Sequence, residues 1–372
     1  MKTVIVGNGI VGLTSALRLT QRGGEVALVG DPARPGSATL AAAAMLNSFA
    51  ELVPASLATE LDRMRFELSR SATESWRALG EELGGLAALG HGTGTYVLDD
   101  ATEFAAILAA LVAHGEPHAI VDAAAIPGYA PAQAAARAVR IDREGWIDPR
   151  RVVAALERAL ASAPHVELIA GTAERLRASD RAITGVVLAD GRVVTGTHYL
   201  VANGASVSAL LDRSALGLAV QRVAYGIGTT LELRAPAAHV ACLRGHGVYS
   251  VPRGDRVVVG STNLVADAPV DDPTAAARIL AAAIARLDAR FEHAELLRAN
   301  VGWRPIGQDP YPLIGRTAIE NLAIATGTRR DGFHLAPVIA DHLAALLHDA
   351  PGDPRFAAFG PERPVRSLPS MR

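Results

Sequence analysis

Thr3-Val4-Ile5-Val6-Gly7-Asn8-Gly9-Ile10-Val11-Gly12 sets a short β-branched apolar run directly before three glycines spaced G-x-G-x-x-G. Leu13, Ala16, Leu17 and Leu19 then recur at helical spacing, so the stretch reads strand, turn, helix. Each glycine has a physical reason to be there. Gly7 permits the tight turn, Gly9 lets a pyrophosphate approach the backbone, and Gly12 lets the helix pack against the sheet. The helix N-terminus at Ile10 and Val11 then presents N–H groups and a positive dipole end to the anion. A second strand, Glu25 to Val29, follows at the distance a βαβ unit needs. The pattern predicts a dinucleotide site. An acidic residue expected at the end of that strand, on the adenosine ribose, is missing: Gly30 follows Val29, and Asp31 comes one place later. Asp31 reads either as the ribose ligand or as a turn residue before Pro32.

Outward from this unit, 372 residues exceed the usual span of one core, which predicts two domains or an interleaved pair. Half the residues are apolar and 20% are charged, which excludes disordered and fibrous classes. With 36 basic against 38 acidic residues there is no electrostatic excess to neutralise a phosphate backbone, so nucleic acid is not an expected partner. Cys242, the single cysteine, excludes an intrachain disulfide and any cysteine-based metal cluster, and no metal is expected. No apolar run is long enough for a membrane span and no signal peptide is readable, so a soluble cytoplasmic protein is expected.

Three further regions narrow the ligand. Gly36 to Leu46 reads GSATLAAAAML, a small-residue run too poor in bulk for an amphipathic helix face but suited to close contact with a flat ligand. Gly145-Trp146-Ile147-Asp148-Pro149-Arg150 precedes a helix, and Val166 to Ala170, the hairpin ITGVVLADGRVV and the strand Tyr199 to Ala202 lead into Asn203-Gly204-Ala205. Last come Gly302-Trp303-Arg304-Pro305, the strand Leu322 to Ala325, and Thr326-Gly327-Thr328-Arg329-Arg330-Asp331-Gly332-Phe333-His334-Leu335-Ala336-Pro337 before a final helix.

In this order the segments resemble the D-amino-acid oxidase superfamily of FAD enzymes, most closely its glycine oxidase and sarcosine oxidase branch. The likeness is most specific at AAAAML, at VYSVPR with its partner VVVGSTN, at the WRP step and at G-x-x-R-x-G-x-x-L-A-P. It implies an α/β protein, α+β overall. A Rossmann-like FAD-binding domain is assembled from residues 1–50, 140–210 and 300–365, and a substrate domain with a mixed or antiparallel sheet from 51–139 and 211–299. Residues 366–372 form a tail, and the Pro- and Arg-rich stretch after Pro351 reads as a surface extension. The chain departs from the family pattern at Gly30, at Leu40 in place of Ser, and at Ala44 in place of Gly.

The resemblance implies that FAD is bound non-covalently, since Thr326 to Asp331 lacks the cysteine that tethers flavin in some relatives. Its implied contacts are Gly7, Gly9, Ile10, Val11, Gly12 and Asp31, then Thr39, Ala43, Ala44, Met45 and Leu46. Ala173, Asn203 and Gly204 follow, and Arg330, Asp331, Gly332, Phe333 and His334 close the set, with the helix starting near Phe333 aimed at the flavin pyrimidine. For the substrate, Arg304 matches the arginine that grips the carboxylate, against a structural alternative in which it stacks on Trp303. Tyr249 matches a tyrosine that binds the same carboxylate, or else is plain sheet core. Asn263 either reshapes the side-chain pocket or caps its strand, and Arg330 either touches substrate or solvates the helix entrance. A lone buried His such as His334 is expected as a hydrogen-bonded neighbour rather than an acid–base catalyst.

The reaction implied is oxidation of the C–N bond of glycine, sarcosine or an N-substituted glycine. Imine hydrolysis then gives glyoxylate and an amine, with O2 as electron acceptor and hydrogen peroxide as product. Homologues in macrolactam antibiotic biosynthesis act in this way on N-carboxymethyl β-amino acids, with the N-substituent in an enlarged apolar channel. The alternatives are a D-amino acid dehydrogenase with another acceptor and a carboxymethyl-removing tRNA modifier; the oligomeric state, a homo-oligomer included, stays open. Amphipathic helices are predicted at Ser56 to Leu83, Ala101 to His114 and Pro273 to Asp288.

Overall fold

The computed structural model describes residues 1–99, 103–234, 240–245 and 247–366. Its first unit is β1 (Lys2–Val6), α1 (Ile10–Gln21) and β2 (Glu25–Gly30), with β1 and β2 parallel. Four of five residues in β1 are buried, as expected for a strand covered on both faces. β1 pairs on its other edge with His198–Val201, which pairs with Leu322–Thr326, so the first strand is flanked by residues nearly two hundred positions away. Val166–Ala170 extends the sheet beyond β2, and Leu313–Arg316 closes the opposite edge antiparallel.

The second large sheet is mixed. Val223–Arg234 pairs antiparallel with both Arg256–Gly260 and Glu295–Gly307, while Cys242–Gly245 runs parallel to Gly92–Leu98. Met45–Leu46, at the end of the small-residue run, joins this mixed sheet by pairing antiparallel with Gly145–Trp146. Ala44, just before it, has φ 50°, a left-handed conformation that explains why glycine is the unstrained choice there.

The predicted helices appear with shorter bounds. Glu60–Glu82 starts four residues after Ser56 because Thr59 and Asp62 form a reciprocal capping box. Glu103–Ala113 and Ala275–Arg286 occupy the other two places, with Ala101 and Thr102 outside the described residues. The last helix begins at Ala336 rather than near Phe333, because residues 328–335 form hydrogen-bonded turns such as Asp331 N–H to Thr328 O at 2.9 Å.

The expected surface extension after Pro351 is a correction. Phe356 and Phe359 are 1% and 0% exposed, in a short 3-10 turn spanning Pro354–Phe359. Phe356 lies against His342 with centroids 4.5 Å apart. Arg363 then clamps Asp309, donating from Nη2 to Oδ1 at 2.7 Å. Proline and arginine dominate the local composition, but two aromatic side chains decide the packing. Residues 367–372 of the expected tail lie outside the described residues.

Candidate active site

A cavity of about 580 Å³ opens between the turn after β1 and the mixed sheet, and its wall includes Gly7, Asn203, Met45, Tyr249, Arg304 and Phe333. Three distant parts of the chain therefore meet at one space. The turn is built as the glycines require. Gly7 has φ +118°, and a Cβ there would sit 2.4 Å from Ala202 O. A Cβ on Gly12 would lie 1.8 Å from Gly7 O, so that glycine is fixed by packing and stands behind the cavity rather than in its wall. Gly9 differs: its nearest neighbour would be Thr39 Oγ1 at 3.3 Å, leaving the cavity side open. Thr39 Oγ1 also accepts from Ile10 N–H at 3.0 Å, which ties the small-residue run to the start of α1.

Of the other residues expected near a cofactor, Val11, Asp31, Ala43, Ala44, Ala173 and Gly204 line this cavity. So do Arg330 and Gly332. Three stand outside its wall. Leu46 belongs to the main hydrophobic core. Asp331 pairs with Arg65, whose Nε donates to Oδ2 at 3.0 Å. His334 is buried behind Phe333, which itself stacks on Trp76 with centroids 5.1 Å apart and planes 4° from parallel.

His334 shares hydrogen bonds with Thr73 Oγ1 at 2.9 Å and Ser69 Oγ at 3.4 Å, and burial pushes its pKa down to about 4. The imidazole is neutral at pH 7, which suits the hydrogen-bonded neighbour expected from sequence. Its folded value lies below the unfolded value of about 6.5, so the unfolded chain takes up a proton that the native state refuses as pH falls. Stability present at pH 7 is lost between about pH 6.5 and 4, by roughly 3 kcal/mol from this group. Urea unfolding of the holoprotein across that range is expected to show the loss, and His334→Gln to flatten it; equal slopes in both proteins would contradict the assignment.

The charged end of the site is built on three strands. Arg304, half-buried on Glu295–Gly307, donates from Nη1 to Thr262 O at 2.9 Å and Asn263 Oδ1 at 3.2 Å, and from Nη2 to Ser261 Oγ at 3.1 Å. All three acceptors are neutral, so the guanidinium is oriented without a direct ion pair among the described residues. Burial lowers its pKa, with Tyr249 acting the other way. The Tyr249 hydroxyl is pushed up by burial against the pull of Arg304, and it stays a neutral donor. Asn263 is not in the wall of this cavity; it accepts from Arg304 and lines a neighbouring pocket with Ser261 and Thr262. Trp303 makes an edge-on contact with Tyr225, centroids 5.8 Å apart.

Several site residues carry no readable motif. Arg244 lies opposite Tyr249 across a strand pair and forms a two-pronged ion pair with Glu51, both in the cavity wall. Ser261 reaches both Tyr249 and Arg304. Three glycines make room for the functional side chains: Cβ atoms on Gly36, Gly228 and Gly260 would fall 2.0 Å from Trp303, 2.2 Å from the Arg304 guanidinium and 2.7 Å from the Tyr249 hydroxyl. The alternation Gly226-Ile227-Gly228 in a strand was the available signal, because strand glycines mark close approach. Gly228→Ala is expected to displace Arg304 and lower kcat/KM about 10- to 100-fold, with bound flavin and melting temperature nearly unchanged. Wild-type kinetics in that variant would show that the guanidinium has room elsewhere.

The family model for FAD dependent oxidoreductases, DAO, matches residues 2–346. The chain belongs to that family. The Bifunctional protein ThiO/ThiG of Nostoc sp. strain PCC 7120 is 30% identical over 96% of this chain and 54% of its own length, so the chain spans about half of that relative. Among solved structures, iminodiacetate oxidase from Chelativorans sp. BNC1 superposes with TM-score 0.83 at 24% identity, covering 96% of this chain and 98% of that one. Glycine oxidase from Geobacillus kaustophilus gives TM-score 0.83 and 24% identity over 98% and 99%. This family member is thus an FAD-dependent oxidoreductase with the fold expected from sequence. The cavity fits the cofactor: the Gly7 turn and the open face of Gly9 suit a diphosphate, and Asn203 Oδ1 in the wall is buried without a partner among the described residues. No helix among the described residues is long and apolar enough to cross a membrane.

Proposed function

We propose that this oxidoreductase removes two electrons from the C–N bond of a glycine-type amine. The observation that carries the reading is the placement of Arg304: an arginine with no direct ion pair among the described residues, aimed by Ser261, Thr262 and Asn263, beside a neutral Tyr249 hydroxyl in the wall of the flavin cavity. A carboxylate would complete its two-pronged donor set, and the tyrosine hydroxyl would donate to the same anion. FAD, when bound, supplies the acceptor for the hydride leaving the substrate carbon. Gripping the carboxylate fixes the neighbouring carbon in one orientation, which is the residues' main contribution to rate. With the amine bound neutral no general base is required. Water then adds to the imine, releasing glyoxylate and the amine, and O2 takes the two electrons to become hydrogen peroxide.

The cavity also favours an N-substituted glycine. Beside Tyr249 its wall carries the Arg244–Glu51 pair instead of the purely apolar lining expected for a long alkyl chain, so a polar N-substituent is the better match. Anaerobic titration of the holoenzyme with glycine, sarcosine, N-alkyl and N-carboxyalkyl glycines tests both levels. Flavin bleaching with release of glyoxylate supports the reading, and a preference for N-carboxyalkyl over N-alkyl chains supports the polar substituent. Bleaching by none of them, but by D-amino acids without glyoxylate, would overturn it.

A further inference from the structure

Gly30, at the end of β2, stands where a dinucleotide fold ordinarily holds an acid against the adenosine ribose. The structure gives a reason for the change. A Cβ on residue 30 would lie 2.2 Å from Asn8 Cγ and 2.6 Å from Asn8 Nδ2. The Asn8 side chain therefore fills the volume from which the usual acid would start, and no side chain at position 30 can coexist with it in place. Asn8 is held from two directions. Its Nδ2 donates to Asp31 O at 3.0 Å, and its backbone carbonyl accepts from Arg34 Nε at 3.1 Å. The anchored amide nitrogen leaves Oδ1 without a hydrogen-bond partner among the described residues, while Asn8, Gly30 and Asp31 all line the cofactor cavity. Asp31, the other candidate, has Oδ1 engaged by Ala33 N–H at 2.8 Å in a local turn.

We propose that Asn8 and Gly30 have exchanged roles: the side-chain oxygen of Asn8 accepts from the adenosine-ribose hydroxyls of FAD, and Gly30 is the space that admits it. An amide oxygen accepts as a carboxylate oxygen does, but carries no charge. The ribose contact in this chain is neutral. The inference concerns the cofactor and holds whichever amine is oxidised.

The test uses apoprotein titrated by flavin fluorescence with FAD and with an FAD analogue lacking both adenosine-ribose hydroxyls. Asn8→Ala is expected to weaken FAD about fivefold to tenfold, the size of one neutral hydrogen bond, and to leave the analogue's affinity unchanged. Gly30→Glu alone is expected to weaken both ligands through its overlap with Asn8. The double change Asn8→Gly with Gly30→Glu restores preference for FAD over the analogue. Equal losses for both ligands in Asn8→Ala would reduce Asn8 to a structural part, and unchanged FAD affinity would overturn the exchange. So would Asp31→Asn abolishing the FAD-over-analogue preference while Asn8→Ala keeps it. Because each result is a ratio of two ligands on one protein, partial misfolding does not mimic it.

Discussion

Arg304→Ala is expected to lower kcat/KM about 10³-fold toward whichever glycine-type amine bleaches the flavin, with FAD still bound. Truncating one member of a desolvated charge pair costs about 2–5 kcal/mol, most of it from leaving the partner charge unmatched. Here the partner is the substrate carboxylate. The residue's present partners, Thr262 O, Asn263 Oδ1 and Ser261 Oγ, are neutral and can turn to water, so the fold loses little. Arg304→Lys keeps the charge but cannot present two parallel donors, and it is expected to recover about one order of magnitude. Steady-state kinetics with the flavin spectrum recorded on the same samples checks both. A kcat/KM within threefold of wild type would mean that the carboxylate is held elsewhere, with Arg330 and Arg244 the next residues to change.

Gly12→Ala is expected to cost about 3–5 kcal/mol and to yield protein largely free of flavin. The added methyl would meet Gly7 O at 1.8 Å and Gly7 C at 3.0 Å, so either α1 withdraws from the sheet or the Gly7 turn opens. Neither motion is local, because the same turn abuts Ala202 and Asn203, which directly follow the strand beside β1. Gly9→Ala separates packing from ligand approach. Its methyl would find only Thr39 Oγ1 at 3.3 Å, so the apoprotein keeps its melting temperature within about 2 °C while FAD affinity falls. If Gly9→Ala destabilised the apoprotein as much as Gly12→Ala, the distinction would be wrong.

The N-terminal unit was readable because each of its steps is local: a buried strand, a turn that only glycine can make, and a helix that needs a small residue at its contact. The segments after residues 145 and 300 were readable through resemblance, since nothing in Trp303-Arg304-Pro305 alone says that three distant acceptors aim the guanidinium. Residues that act through tertiary neighbours left little trace. Glu51 and Arg244 are 193 positions apart, and neither stands in a pattern that predicts the other. Asp31 was ambiguous because the competing candidate, the side chain of Asn8, comes to fill the space next to Gly30 only in the folded chain. The last segment misled for the same reason. Its prolines and arginines suggested solvent, whereas Phe356 and Phe359 find a pocket made by Tyr311 and His342, elements they do not border in sequence.

The flanking of β1 by His198–Val201, and of that strand by Leu322–Thr326, sets a timetable for biosynthesis. A nascent chain leaving the ribosome carries its glycine turn first, yet that turn rests on Ala202 and Asn203, which emerge about ten seconds or more later at ordinary translation speeds. Through that interval β1 has only α1 and β2 beside it, and its other edge waits for the strand that completes the sheet. The cavity wall, which runs from Val6 to Phe333, is therefore complete only after its last residues have joined the first.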